Sequence, residues 1–175
     1  MPGSGKSTVG RQLAKQLGLG FVDSDVELER RLGMPIREWF TRFGEDAFRD
    51  LEQDVIDDVT GRADTVIATG GGAVLRPSNR DALHARTHVF YLRTTPEELF
   101  RRLRHDSHRP LLQVEDPLAR LRELFKDRDP LYRRVAHFVV EGGRPSMSAL
   151  LSMVLSQIEL AGLREVGTKL PETGA

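Results

Sequence analysis

Gly3-Ser4-Gly5-Lys6-Ser7-Thr8 is a run of residues suited to holding phosphate. Glycines let the backbone wrap so that successive N–H groups converge on anionic oxygens. The helix predicted from Ser7 adds the positive end of its dipole. In such a loop the lysine bridges the β- and γ-phosphates of a nucleotide, and the hydroxyl after it ligates Mg²⁺. Gly3, Ser4, Gly5, Lys6, Ser7 and Thr8 are therefore the predicted nucleotide-binding set, with Ser7 as a metal ligand. A plain glycine turn is the competing reading, and Gly-Lys-Ser at a helix start argues against it. The pattern is the second half of G-x-x-x-x-G-K-[ST], which follows a buried strand. Counting back from Lys6 puts the first glycine one residue ahead of Met1. The expectation is that the natural reading frame continues upstream through that glycine and an apolar strand of about five residues.

Three further clusters carry chemistry. Asp23 and Asp25 close a short apolar strand, and carboxylates at a strand's C-terminal end face the crevice where ligands bind in parallel sheets. Helix capping is the alternative role for Asp23. Arg49 and Glu52 stand three apart on a predicted helix, so they share a face and can pair. An arginine so held can receive a substrate carboxylate. Gly70-Gly71-Gly72 follows an apolar strand and lets backbone approach a ligand with nothing between. Positions 101–109 hold four arginines and two histidines, and Arg133, Arg134 and Arg144 follow. A planar guanidinium fork suits phosphate and carboxylate better than a point charge does.

Alternating strands and helices must position these residues, which argues an α/β fold with a parallel sheet. The apolar spacing predicts helices over 7–17, 25–32, 36–43, 45–60, 77–85, 95–104, 117–129 and 146–160, with Gly44 separating the third from the fourth. Strands are predicted at 20–23, 64–69, 88–92 and 137–140. Thr95-Pro96-Glu97-Glu98 is a capped helix start. Residues 105–115 are polar and broken by proline, which predicts a loop. A single domain over 1–162 and a disordered tail over 163–175 complete the organisation.

Composition bounds the function. The 175 residues contain no cysteine, so no disulfide framework or Cys-ligated metal site is available. Twenty-six basic residues balance 26 acidic ones, which leaves no global field for nucleic acid. No run approaches the ~18 apolar residues a membrane span needs. The expected protein is a cytoplasmic monomer whose partners are small molecules.

Taken in order, these motifs resemble shikimate kinase. The matching pieces are Gly-Ser-Gly-Lys-Ser-Thr, the Asp-Ser-Asp pair, Gly44-Glu45-x-x-Phe48-Arg49-x-x-Glu52, the Gly-Gly-Gly-Ala run, Arg109-Pro110-Leu111-Leu112, and Leu131-Tyr132-Arg133-Arg134-Val135-Ala136. They span residues 3 to about 160. The resemblance implies transfer of the γ-phosphoryl of ATP to the 3-hydroxyl of shikimate, in the route to chorismate and the aromatic amino acids. It implies that Asp25, Arg49, the Gly70–Gly72 backbone and Arg133 hold shikimate, the two arginines on its carboxylate. It further implies Arg109 in a lid that closes over ATP, and Arg102 and Arg144 near the adenine. Asp23 would lie near Mg²⁺ through water, and Glu52 would orient Arg49. Lys6, Asp25 and Arg109 form the implied catalytic set. The implied fold is a P-loop three-layer architecture with sheet order 2-3-1-4-5, strand 1 falling ahead of the sequence given. Another small P-loop kinase, acting on gluconate or a nucleotide, and a nucleotide-binding module without catalysis are the alternatives.

Overall fold

Eleven elements follow one another in a computed structural model that describes Met1 and residues 3–103, 114–141 and 146–163. They are α1 (Lys6–Leu17), β1 (Gly20–Asp23), α2 (Ser24–Leu32), α3 (Ile36–Thr60), β2 (Thr65–Ala68), α4 (Pro77–Arg86), β3 (Phe90–Arg93), α5 (Pro96–Leu103), α6 (Pro117–Val135), β4 (Phe138–Glu141) and α7 (Met147–Leu160). Most of the expected lid and tail lie outside the described residues.

Side-chain alternation along the strands sorts the helices into two layers. On β3, Tyr91 packs with Ile56 of α3, Leu83 of α4 and Leu121 of α6. Its neighbour Leu92 packs on the opposite face with Val9 and Leu13 of α1 and Val154 of α7. On β2, Val66 joins the α1–α7 side, while Ile67 packs with Leu28 of α2 and Val55 of α3. The result is a three-layer α/β arrangement with helices on both faces.

All strand pairing is parallel. β1 pairs β2 from Gly20 opposite Thr65 to Asp23 opposite Ala68. β3 pairs β4 from Phe90 opposite Phe138 to Arg93 opposite Glu141. Among the described residues no strand joins the two pairs. Between β2 and β3 lies a cavity of about 460 Å³, walled by residues that include Val9, Leu13, Val66, Leu83, Leu92 and Ile158. Met1 stands at this cavity and is 2% exposed.

Several elements depart from the sequence reading. Gly44 is not among them: its φ of 82° and ψ of 178° are non-helical, so α3 is two helices meeting at a kink, as expected. β3 begins two residues later than expected, because the N–H of Val89 is bonded by the imidazole Nδ1 of His137 at 3.1 Å. β4 likewise starts at Phe138. The largest departure is α6, which continues through Pro130 to Val135 instead of stopping at Asp129. Proline in a helix interior removes one hydrogen bond and crowds the preceding turn, at a cost of about 3 kcal/mol. Burial of Tyr132 and Val135 beyond it offsets that cost.

Candidate active site

Gly3 and Gly5 have φ of +75° and +88°, a region that favours glycine. A Cβ on Gly5 would also fall 2.7 Å from Met147 Cε. The loop they form is closed from inside. Ser4, fully buried, donates through Oγ to the Met1 carbonyl at 2.9 Å. Lys6 Nζ donates to the same carbonyl at 2.8 Å. The first turn of α1 contains no acidic residue, so its positive end stays available to an anion. Ser7 and Thr8 are exposed on that turn.

Asp23 links this loop to the next element. Its Oδ2 accepts from Ser7 Oγ at 2.5 Å, and its Oδ1 accepts from the Asp25 N–H at 3.0 Å, capping α2. The capping role and the site role of Asp23 thus coexist. Ser7 and Asp23 together present a hydroxyl and a carboxylate, hard oxygen donors that fit Mg²⁺. The described residues contain no cluster of three or more metal-ligating side chains. Mg²⁺ is commonly held by one or two protein oxygens plus substrate phosphates.

Asp25 lies one turn along. The residue is exposed at the surface, while its carboxyl is crowded by surrounding protein. Burial first, and then the charge of Asp23, push its carboxyl up to about 6, against a lowering by Lys6. At pH 7 it is ionised and basic enough to accept a proton. A raised carboxyl pKa means that the protonated form stabilises the fold. That contribution is complete below the unfolded value near 4 and is lost as pH rises through about 6. In the free protein an NMR titration of Asp25 is expected to show a midpoint near 6 that moves to lower pH in Asp23→Asn. A midpoint near the ordinary carboxylate value of about 4 would contradict this electrostatic account.

The glycine triplet brings backbone against both charged groups. A Cβ on Gly70 would collide with Asp25 Oδ1, and one on Gly72 with Arg49 Nη1. Any side chain at either position must displace the group it faces. Gly70 is fixed by its N–H, bonded to the buried Ser24 Oγ at 3.0 Å. Arg49 is held on every side. It bonds Glu52 at 2.7 Å and Glu45 at 2.8 Å, and stacks over Phe48 with its guanidinium carbon 5.3 Å from the ring centre. Glu52 is 2% exposed, so this pair is shielded from solvent on the helix side. The i, i+3 spacing read from sequence therefore holds a positioned guanidinium at the crevice.

The structure gives Arg133 a different set of partners. Its guanidinium bonds Asp129 at 2.9 Å and Glu141 at 3.2 Å. A second arginine of α6, Arg128, lies near Tyr132. Tyr132 donates through its hydroxyl to the Gly71 carbonyl at 2.6 Å; burial raises the pKa of that hydroxyl, and the nearby Arg128 charge acts to lower it. Arg128 also acts electrostatically on the amino group of Met1, beside Lys6. The signal for it was i, i+4 spacing to Tyr132, which puts both on one helix face. Ending the helix at Asp129 hid that relation. Arg102 is exposed on the last turn of α5. Arg109 and Arg144 lie outside the described residues.

The site thus gathers Lys6, Ser7, Asp23, Asp25, Arg49 and Gly70–Gly72 at the C-terminal ends of β1 and β2. Comparison with known proteins places this arrangement. The shikimate kinase family model matches residues 2–159. The chain is 56% identical to the shikimate kinase of Paracidovorax citrulli, over 94% of this chain and 91% of that one. It is 55% identical to that of Ralstonia nicotianae, over 92% and 85%. A solved shikimate kinase from Acinetobacter baumannii, in complex with shikimate, superposes with TM-score 0.86 at 45% identity, covering 93% of this chain and 90% of that one. The chain belongs to the shikimate kinase family.

Proposed function

We propose how the residues of this kinase divide the transfer of the γ-phosphoryl of ATP to the 3-hydroxyl of shikimate. The support is the convergence of Asp25, Arg49 and the glycine triplet beside the phosphate loop. The N–H groups of residues 3–8 and the start of α1 hold the phosphates. Lys6 leaves the Met1 carbonyl to neutralise charge on the transferred group, where positioning and electrostatics supply nearly all the catalysis. Ser7 and Asp23 hold Mg²⁺, which when bound neutralises phosphate charge. Arg49 and Arg128 take the shikimate carboxylate; Arg128 is preferred to Arg133 in that role because it neighbours Tyr132, whose hydroxyl reaches Gly71, whereas Arg133 faces Glu141 of β4. Asp25 orients the reacting hydroxyl, and its raised pKa suits it to receive the proton. Arg109 and a closing lid, with Arg102 and Arg144 toward the adenine, complete the reading, as do a monomeric state and the cytoplasm as its compartment.

A coupled assay with ATP and shikimate tests the assignment. Arg49→Ala and Arg128→Ala are each expected to raise KM for shikimate about ten- to a hundredfold, the worth of one charge-assisted contact of roughly 1.5–3 kcal/mol. KM for ATP should stay within about twofold of the parent. Normal shikimate KM in both variants would place the carboxylate elsewhere.

A further inference from the structure

α6 has a soft point between Arg128 and Tyr132, whose hydroxyl reaches the Gly71 carbonyl. Pro130 lies between Arg128 and Tyr132, and without an N–H it leaves the Lys126 carbonyl unbonded within the helix. A helix relieved of a rung there can bend. One residue away, Asp129 supplies an external tie.

The Asp129 carboxylate accepts three hydrogen bonds. Its Oδ1 takes Tyr91 Oη at 2.8 Å and Arg93 Nε at 3.0 Å, and its Oδ2 takes Arg133 Nε at 2.9 Å. Tyr91 and Arg93 belong to β3. Glu141, the last residue of β4, closes the set by pairing with Arg133 at 3.2 Å and Arg93 at 3.4 Å. Asp129 is 14% exposed, and Arg93 lies over the Phe125 ring at 5.0 Å, so the centre of the cluster is sheltered. Burial alone would raise the Asp129 carboxyl, but Arg133, Tyr91 and Arg93 outweigh it and hold the group below the usual carboxylate range. The Tyr91 ring in turn packs on the Tyr132 ring with centroids 4.9 Å apart. The cluster therefore ties α6 to the ends of two strands at the turn where the helix is weakest, and it touches Tyr132 directly.

We propose that Asp129 is a positioning residue for substrate binding: by clamping α6 to β3 and β4 across Pro130, it fixes the placement of Arg128 and the reach of Tyr132 toward Gly71. The inference rests on Arg128 as a carboxylate-binding arginine. Arg133, read from sequence as a substrate ligand, acts here through Asp129.

The test is a double-mutant cycle read in KM for shikimate and for ATP, with melting temperatures recorded. Asp129→Asn is expected to raise KM for shikimate about tenfold and leave KM for ATP within about twofold, because it acts through one charge-assisted contact. Arg133→Gln, which removes one donor only, should give a smaller shift in the same direction. In an Arg128→Ala background, Asp129→Asn should add little, since its effect passes through Arg128. A lowered melting temperature with unchanged KM for shikimate would make the cluster a purely structural tie and overturn the proposal. Equal rises for both substrates, or full additivity with Arg128→Ala, would overturn it as well. If Arg128→Ala raises KM and Asp129→Asn does not, only the clamp fails. If Arg128→Ala is itself silent, the carboxylate assignment fails and the clamp with it.

Discussion

Lys6→Met is expected to lower kcat by about a hundred- to a thousandfold while the fold survives, the range for removing one preorganised donor from developing transition-state charge. Methionine keeps the length and apolar stem of lysine and loses only the ammonium. In the free protein that ammonium bonds the Met1 carbonyl at 2.8 Å, so the variant forfeits one loop contact. The buried Ser4 hydroxyl still holds the same carbonyl, which limits the damage. Losing about 1 kcal/mol in a chain of this size lowers the melting temperature by about 2–4 °C. Circular dichroism and a single-turnover assay check both halves. Activity near that of the parent in a folded variant would remove Lys6 from the chemistry.

What could be read from sequence was what sits in contiguous residues. The loop Gly3–Thr8, the Asp23–Asp25 strand end and the Gly70–Gly72 turn each carry their chemistry within a few positions, so type and spacing suffice. The Arg49–Glu52 pair was legible for the same reason, one helical turn being a local relation. Arg128 was not. Its identification needed α6 to run through Pro130, and local rules favour a stop there. Tertiary burial of Tyr132 and Val135 decided otherwise, and burial is not local information. The start of β3 failed similarly. His88 and Val89 have strand-like neighbours, but the Val89 N–H goes to an imidazole 48 residues away. The closeness of Gly72 to Arg49 and of Gly70 to Asp25 was likewise invisible as a distance, although the need for bare backbone was readable from the triplet.

Electrostatically the site separates two sets of charge along one crevice. Lys6, the α1 dipole and Arg49 offer positive charge, and Asp23 and Asp25 stand between them. Burial first, and then the charge of Asp23, raise the cost of ionising Asp25, which is why it is shifted while still close to Lys6. A cation at Ser7 and Asp23 would lower that cost. Metal and the basic form of Asp25 should therefore favour one another.

Filling the gap between β2 and β3 is expected to change the molecule more than any single substitution. Each strand is paired along one edge only, and the opposed edges line a cavity of about 460 Å³. Unpaired strand edges inside a protein leave N–H and C=O groups without partners. The walls are apolar on both sides, from Val9 and Leu13 to Leu83 and Val135, which is the environment of an interior parallel strand. Met1 stands at the end of the cavity nearest the phosphate loop, where burial first, then Lys6 and Arg128, push its amino group well below the ordinary range. An amide N–H at that place carries no charge to desolvate. A variant extended ahead of Met1 by about five apolar β-branched residues and a glycine would carry the full phosphate-loop pattern. The added strand gains side-chain burial and two hydrogen-bonded edges, and loses the conformational freedom of its own residues. A net gain on the order of 3 kcal/mol remains. With a urea slope of about 1.5 kcal/mol per molar, the unfolding midpoint should rise by about 2 M. Tethering the loop from its other side should also fix Gly3 to Lys6 around the phosphates, so ATP affinity should rise by about tenfold or more. Urea melts and nucleotide titrations of the two chains, side by side, provide the measurement. An unchanged midpoint together with unchanged ATP affinity would show that the gap accepts no strand and that the loop is held by α1 alone.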